Sequence, residues 1–368
     1  MEKRNKFGIY DGCNLKVGGS ALMEGVMMKN EDSVAMAVRA ANGDIKVIKK
    51  PANKGKRKRK ISKLVLIRGG YNLIESMVDS VYYLSKSAEF IDLEEDAKEP
   101  KKKKPSKEKT KKDSNMINII MFFSVIISLI FSIGIFMLLP KVIVDLLGIS
   151  GNVVLKNIIE GAIRITLFIG YILLTALVKD IKRVFSYHGA EHKSIHCYEH
   201  NEELTVENVK KYSTMHPRCG TSFMFLIMVI SIMLFSFLDL GLNGIGLTYE
   251  GMGWTGSLIK ILVRLLFMPL LAGITYEITR LSMRSKSRII RAINAPGIAM
   301  QRLTTYEPDD SMMEVAIASL KAVLDKDIPY NTEEEIENII KDSKKKAHSE
   351  DMQENPLENL SENLPEDL

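Results

Sequence analysis

Residues 116–139, MINIIMFFSVIISLIFSIGIFMLL, hold no charged side chain. As a helix, a run of that length crosses about 30 Å of hydrocarbon. In lipid the backbone must satisfy its own polar groups, so such a stretch is restricted to a helix. Similar runs occupy residues 157–178, 221–240 and 257–279. The chain therefore reads as an α-helical polytopic membrane protein with four transmembrane helices. A long polar region precedes the first of them, which excludes a cleavable signal peptide.

Lysine and arginine set the orientation, because short cytoplasmic segments accumulate them. KRKRK stands at 56–60 and KKKK at 101–104; Lys179, Lys182, Arg183 and Arg218 fall between the second and third spans; Arg280, Arg284, Arg288 and Arg291 follow the fourth; residues 241–256 have no lysine or arginine. Both termini are expected in the cytoplasm of a plasma-membrane protein, with 140–156 and 241–256 as outer loops. The three cysteines, Cys13, Cys197 and Cys219, then lie where thiols stay reduced.

Six regions follow along the chain. Residues 1–60 form a small β-containing cytoplasmic region, where SVAMAVRAANGDIKVIKKP alternates apolar and polar residues about a hairpin at Asn42-Gly43. Residues 61–97 form an amphipathic helix, with Leu73, Met77, Val81 and Leu84 at helical spacing, lying on the bilayer or the first span. Residues 98–113 are a basic disordered linker. Residues 114–280 are the four-span membrane domain, with a cytoplasmic His/Cys loop at 179–220; 281–330 form a cytoplasmic helical region, and 331–368 a charged, acidic-ended disordered tail. The Lys-rich segments suit contact with anionic lipid or a ribosome; no sequence-specific nucleic-acid recognition is expected.

Inside the spans, Glu160 and Arg164 stand at i and i+4 as a self-neutralising pair, Lys260 has the reach to snorkel outward, and Pro269 kinks the fourth span.

Four of the six histidines fall in YHGAEHKSIHCYEH, at 188, 192, 196 and 200. If the second span continues past Val178 as one helix, residues four apart drift by about 40° per step. His188, His192 and His196 then share a face, and His200 turns away. Imidazoles at i and i+4 hold a divalent ion well. His188-Gly189-Ala190-Glu191-His192 also reads H-x-x-E-H, the inverzincin order in which two His bind zinc and the Glu is the general base. The bland alternative is a polar helix at the interface. A second group, His216-Pro217-Arg218-Cys219, stands just before the third span. Both groups belong at one membrane surface, and the fourth span brings Glu277 to the same level. The metal-ligating set is thus His188, His192, His196, His216, Cys219 and Glu277, with zinc the most suitable ion; Glu191 is the candidate base, and Arg218 the candidate to stabilise developing negative charge.

GGSALMEGVMMKN, YHGAEHKSIHCYE, HPRCGTSF, PLLAGITYEITR and APGIAMQRLTTYEPDD together resemble the YqhQ-like family of bacterial membrane proteins, a domain of unknown function often described as a predicted metal-dependent enzyme. The resemblance covers roughly residues 10–325 and implies motif roles for Glu24, His188, Glu191, His192, His196, His216, Arg218, Cys219, Glu277 and Gln301. Two function classes stay open. One is a metal-dependent hydrolase; the other is a non-enzymatic adaptor with a structural metal site and basic segments engaging a ribosome or another membrane complex. A transporter ranks third, because the spans lack paired broken helices.

Overall fold

The structure, a computed structural model, describes residues 17–40, 42–52, 67–98, 123–149, 153–245, 253–284 and 287–324. The KRKRK run, the linker beyond Lys98, the start of the first apolar run and the tail beyond 330 lie outside the described residues.

The N-terminal region is a four-stranded antiparallel meander of β1 (Gly18–Leu22), β2 (Gly25–Lys29), β3 (Ser33–Arg39) and β4 (Ile45–Pro51). Asn42-Gly43 turns β3 into β4, with Gly43 at φ +93, and a second hairpin turns at Met23-Glu24. β3 corrects the expected alternation, since Ser33 through Val38 are all buried. Both faces of the sheet are covered, which makes a strand read as one apolar run. Leu22, Met27, Met36 and Val38 pack under Tyr83 and Phe90 of α1 (Ile67–Lys98). Val26, Met28, Ala35 and Ala37 face Tyr187 and Ala190 of α4 (Lys179–Glu199) and Met313, Ala316 and Leu320 of α9 (Asp310–Val323).

Among the described residues, four helices are long and apolar enough to cross a membrane: α2 (Phe123–Leu146), α3 (Val153–Thr175), α6 (Gly220–Gly244) and the segment Leu258–Leu281 of α7 (Gly253–Arg284). The first runs past its expected end at 139, through a π turn at Gly134–Leu138. Pro140 has no N–H for the carbonyl of Phe136 four residues back, and Arg164 Nε donates to that carbonyl at 2.7 Å. This corrects the expected self-neutralising pair. Glu160 instead meets Arg264 Nη1 at 3.4 Å, and Lys260, expected to snorkel, reaches Asp239 at 3.1 Å. The amphipathic α1 crosses α7, where Gly69 lies against Gly273 and Tyr276, and then runs onto the sheet; Met77 and Val81 are on its exposed side. The one-turn helix α5 (Val206–Lys210) and the longer α8 (Arg288–Thr304) complete the described helices, with α8 packed on α6.

Candidate metal centre

The second span does not run on into the histidine segment. α3 ends at Thr175, and Val178 is extended (φ −74, ψ 125), so α4 starts as a separate helix with its own direction. That turn tucks α4 between the sheet and α9, and everything from Tyr187 to Cys197 except His188 is buried despite its polar sequence. Gly189 is required at the tightest point. A Cβ there would stand 2.0 Å from the Tyr306 carbonyl, where the α8–α9 connection crosses and Tyr306 N–H donates to Phe185 O at 3.0 Å.

His188, His192 and Cys219 present donor atoms that lie within 4.8 Å of one another. His188 Nδ1 donates to the Thr304 carbonyl at 3.0 Å and His192 Nδ1 to the Thr214 carbonyl at 2.5 Å. A carbonyl only accepts, so each ring carries a proton on Nδ1 and turns Nε2 inward. This is how metal-ligating histidines are usually held. Cys219 Sγ is 3.2 Å from His188 Nε2, near the roughly 3.3–3.8 Å separation that tetrahedral zinc bonds impose on neighbouring ligands. Cys219 is also the N-cap of α6, where the helix dipole favours a thiolate. Burial pushes its thiol up, but His192 and the Thr221 hydroxyl outweigh that and leave it below its ordinary value. Burial, reinforced by the neighbouring His188, lowers His192 to about 4, so the ring is neutral at physiological pH.

A second group, His196, Glu199 and His216, adjoins the first, with the His192 and His216 rings 5.6 Å apart between centroids. Its hydrogen bonds are of another kind. The Arg218 N–H donates to His216 Nδ1 at 3.2 Å, which leaves the proton on Nε2, 3.2 Å from Glu199 Oε1. The Arg218 guanidinium binds that same oxygen. His196 Nε2 donates to the Met215 carbonyl at 3.0 Å. Glu199 and His216 are thus committed to one another, and the group is arranged as a polar relay that holds residues 215–219 rather than as an open donor set. Burial, with His196 and Arg218 nearby, holds His216 neutral, well below its ordinary value.

Glu191 lies against the first group from the sheet side. A Cβ on Gly19 of β1 would stand 2.8 Å from Glu191 Oε1, so the strand can approach the carboxyl only as glycine. Glu191 Oε2 is buried without a hydrogen-bond partner. Burial is the main reason its pKa rises to about 8; Cys219 adds to the rise and His188 opposes it.

The single expected centre thus resolves into two groups, with His188, His192 and Cys219 in one and His196 and His216 in the other. Glu277 joins neither. Both its oxygens are taken by Arg68 of α1, at 2.7 and 2.6 Å. Arg218 is engaged by Glu199, and His200 Nδ1 bonds the His196 carbonyl of its own helix at 2.6 Å. Sequence reasoning missed Glu199 and Gly19. Gln301, named through the resemblance, grips the His216 backbone: its Oε1 accepts from His216 N–H and its Nε2 donates to His216 O, each at 2.7 Å. The only available sign of Glu199 was its i+3 place after His196.

The family described as "Protein of unknown function (DUF1385)" matches residues 64–326. The chain belongs to the DUF1385 family. The "Uncharacterized protein YqhQ" of Bacillus subtilis (strain 168) is 31% identical over 313 residues, 83% of this chain and 92% of its own length. No solved structure matches the chain. The DUF1385 match spans both donor groups and all four helices long enough to cross a membrane, and it begins after the sheet.

Proposed function

We propose that this DUF1385 protein is a membrane-embedded, metal-dependent enzyme of hydrolytic type, with its centre at the cytoplasmic end of the four spans. The observation that carries the reading is the inward convergence of His188 Nε2, His192 Nε2 and Cys219 Sγ, with both rings fixed from behind by backbone carbonyls. Three protein donors with a free position are the pattern of catalytic zinc, whereas structural sites close with four. Of the further donors that the sequence suggested, Glu277 is held by Arg68 and His216 is engaged by Glu199. A divalent ion bound there would supply Lewis acidity to a substrate oxygen or a water. Glu191 is the proton carrier. Its carboxylate form would be favoured by a divalent cation held beside it, and Oε2, buried and unpartnered, could then take a proton from a water entering the centre and return it to a leaving group. Arg218 and Glu199 hold the Cys219 segment in place. The cytoplasmic placement rests on Lys179, Lys182, Arg183, Arg218, Arg280 and Arg284 at this end, against a 241–256 segment without lysine or arginine.

Metal content per chain, measured on full-length protein purified in detergent, tests the reading beside complementation of a deletion strain. Wild type and Glu191→Gln should both carry zinc, His192→Ala should carry none, and Glu191→Gln should fail to complement. Wild-type protein that binds no divalent ion after reconstitution, or a Glu191→Gln protein that complements fully, would end it.

A further inference from the structure

The helix α1 is amphipathic in the wrong sense for a helix in water. Its polar residues turn toward the protein. Both Glu277 oxygens accept from Arg68, and Asn72 Nδ2 donates to the Tyr276 hydroxyl at 3.3 Å. Lys29 Nζ donates to Glu75 at 2.9 Å and pairs with Asp79 as well, and Ser87 Oγ accepts from Met23 N–H at 3.2 Å. The opposite side carries Ile74, Met77, Val78, Val81 and Leu84, of which the first four are each more than half exposed. From Ile74 through Ser85 every exposed residue is uncharged. A surface helix in water directs its charges outward and its apolar stripe to the core. Polar groups turned inward with an apolar outer face are the arrangement that surrounding lipid imposes.

The place of this stripe in the fold decides what covers it. Gly69 lies against Gly273 and Tyr276 of α7, beside the Arg68–Glu277 pair. Glu277 and Gly273 stand four and eight residues inside the end, at Leu281, of the segment fit to cross a membrane. At 1.5 Å per residue the two helices therefore meet about 6–12 Å below that end, close to where headgroups give way to acyl chains. Ile74 follows Gly69 by little more than one turn, so the stripe begins beside the span at that depth. In the sequence KRKRK stands at 56–60, shortly before α1, and a basic cluster next to an apolar helix face suits an anionic membrane surface. We propose that α1 lies in the membrane interface, with Ile74, Met77, Val78, Val81 and Leu84 against the acyl chains of the leaflet in which α7 ends at Leu281. The same helix carries the sheet on Tyr83 and Phe90, and the sheet brings Gly19 against Glu191, so the leaflet supports that wall of the donor group through α1.

Tryptophan fluorescence of the full chain, reconstituted in vesicles of phosphatidylcholine and phosphatidylglycerol, tests this. The chain has one tryptophan, Trp254. In a Trp254→Phe background, Met77→Trp and Val81→Trp each place a single reporter on the stripe, and Leu262→Trp, on the exposed side of α7 four residues inside Leu258, serves as the standard for lipid contact. Vesicles with brominated acyl chains should quench Met77→Trp and Val81→Trp by the same fraction of emission as Leu262→Trp, and iodide in the buffer should leave all three unchanged. Thermal unfolding beside the Trp254→Phe parent reports whether each variant folds, and Val78→Trp replaces either one that does not. Quenching by iodide without quenching by brominated lipid would overturn the proposal, because the stripe would then face water. Protection from both quenchers would overturn it too, in favour of a protein contact, and cross-linking of the purified chain to itself would identify that contact as a second copy.

Discussion

Replacing Glu191 by Gln removes one titration and leaves the shape of the side chain intact, so its effect on stability must depend on pH. In the folded, metal-free protein burial raises the Glu191 pKa from 4.5 to about 8. The folded state therefore binds more protons than the unfolded state between those values, and its stability falls as pH rises through that window. Working the linkage through, Glu191 costs under about 1 kcal/mol at pH 5 and about 3 kcal/mol at pH 7, a change of about 2–3 kcal/mol. The Glu191→Gln side chain does not titrate and carries no such slope. His192 acts in the other sense: with its pKa lowered to about 4, stability is lost as pH falls from 6.5 toward that value. Both proteins carry that contribution, so it cancels in the difference between them. Thermal unfolding of chelator-treated wild type and Glu191→Gln in detergent, from pH 5 to 8, gives the difference directly. The Gln variant should gain on wild type steadily with pH and most of all near pH 8. A difference that is flat across the range would refute the claim that Glu191 is buried as a neutral acid beside the donor group.

Gln301→Leu should lower stability by about 2–4 kcal/mol, because it orphans a buried N–H and C=O of His216 at once; the melting midpoint reports this, and metal content should fall with it as the segment leading to Cys219 loosens. Glu277→Gln should leave metal content unchanged while amide exchange in the first turns of α1 rises, since Glu277 serves Arg68 and not the donor groups; loss of metal in this variant would return Glu277 to the centre.

The sequence alone determined what depends on residues near one another in the chain. Four apolar runs announce helices fit to cross a membrane because length and absence of charge are local properties. The Asn42-Gly43 hairpin is legible because its turn requires a residue that accepts positive φ. H-x-x-E-H placed His188 and His192 together because four residues make about one helical turn. What involved distant partners was decided only in three dimensions. The sheet's second covered face came from α4 and α9, more than a hundred residues away, which is why β3 is buried on both sides where alternation was expected. The extended residue at Val178 detached α4 from the second span, a break that no proline or glycine announces. Charges inside the spans found partners on other helices, Glu160 with Arg264 and Lys260 with Asp239, because a low-dielectric interior rewards the nearest opposite charge in space rather than in sequence. The same preference gave Glu277 to Arg68 and left three donors, with Glu191 beside them, at the centre.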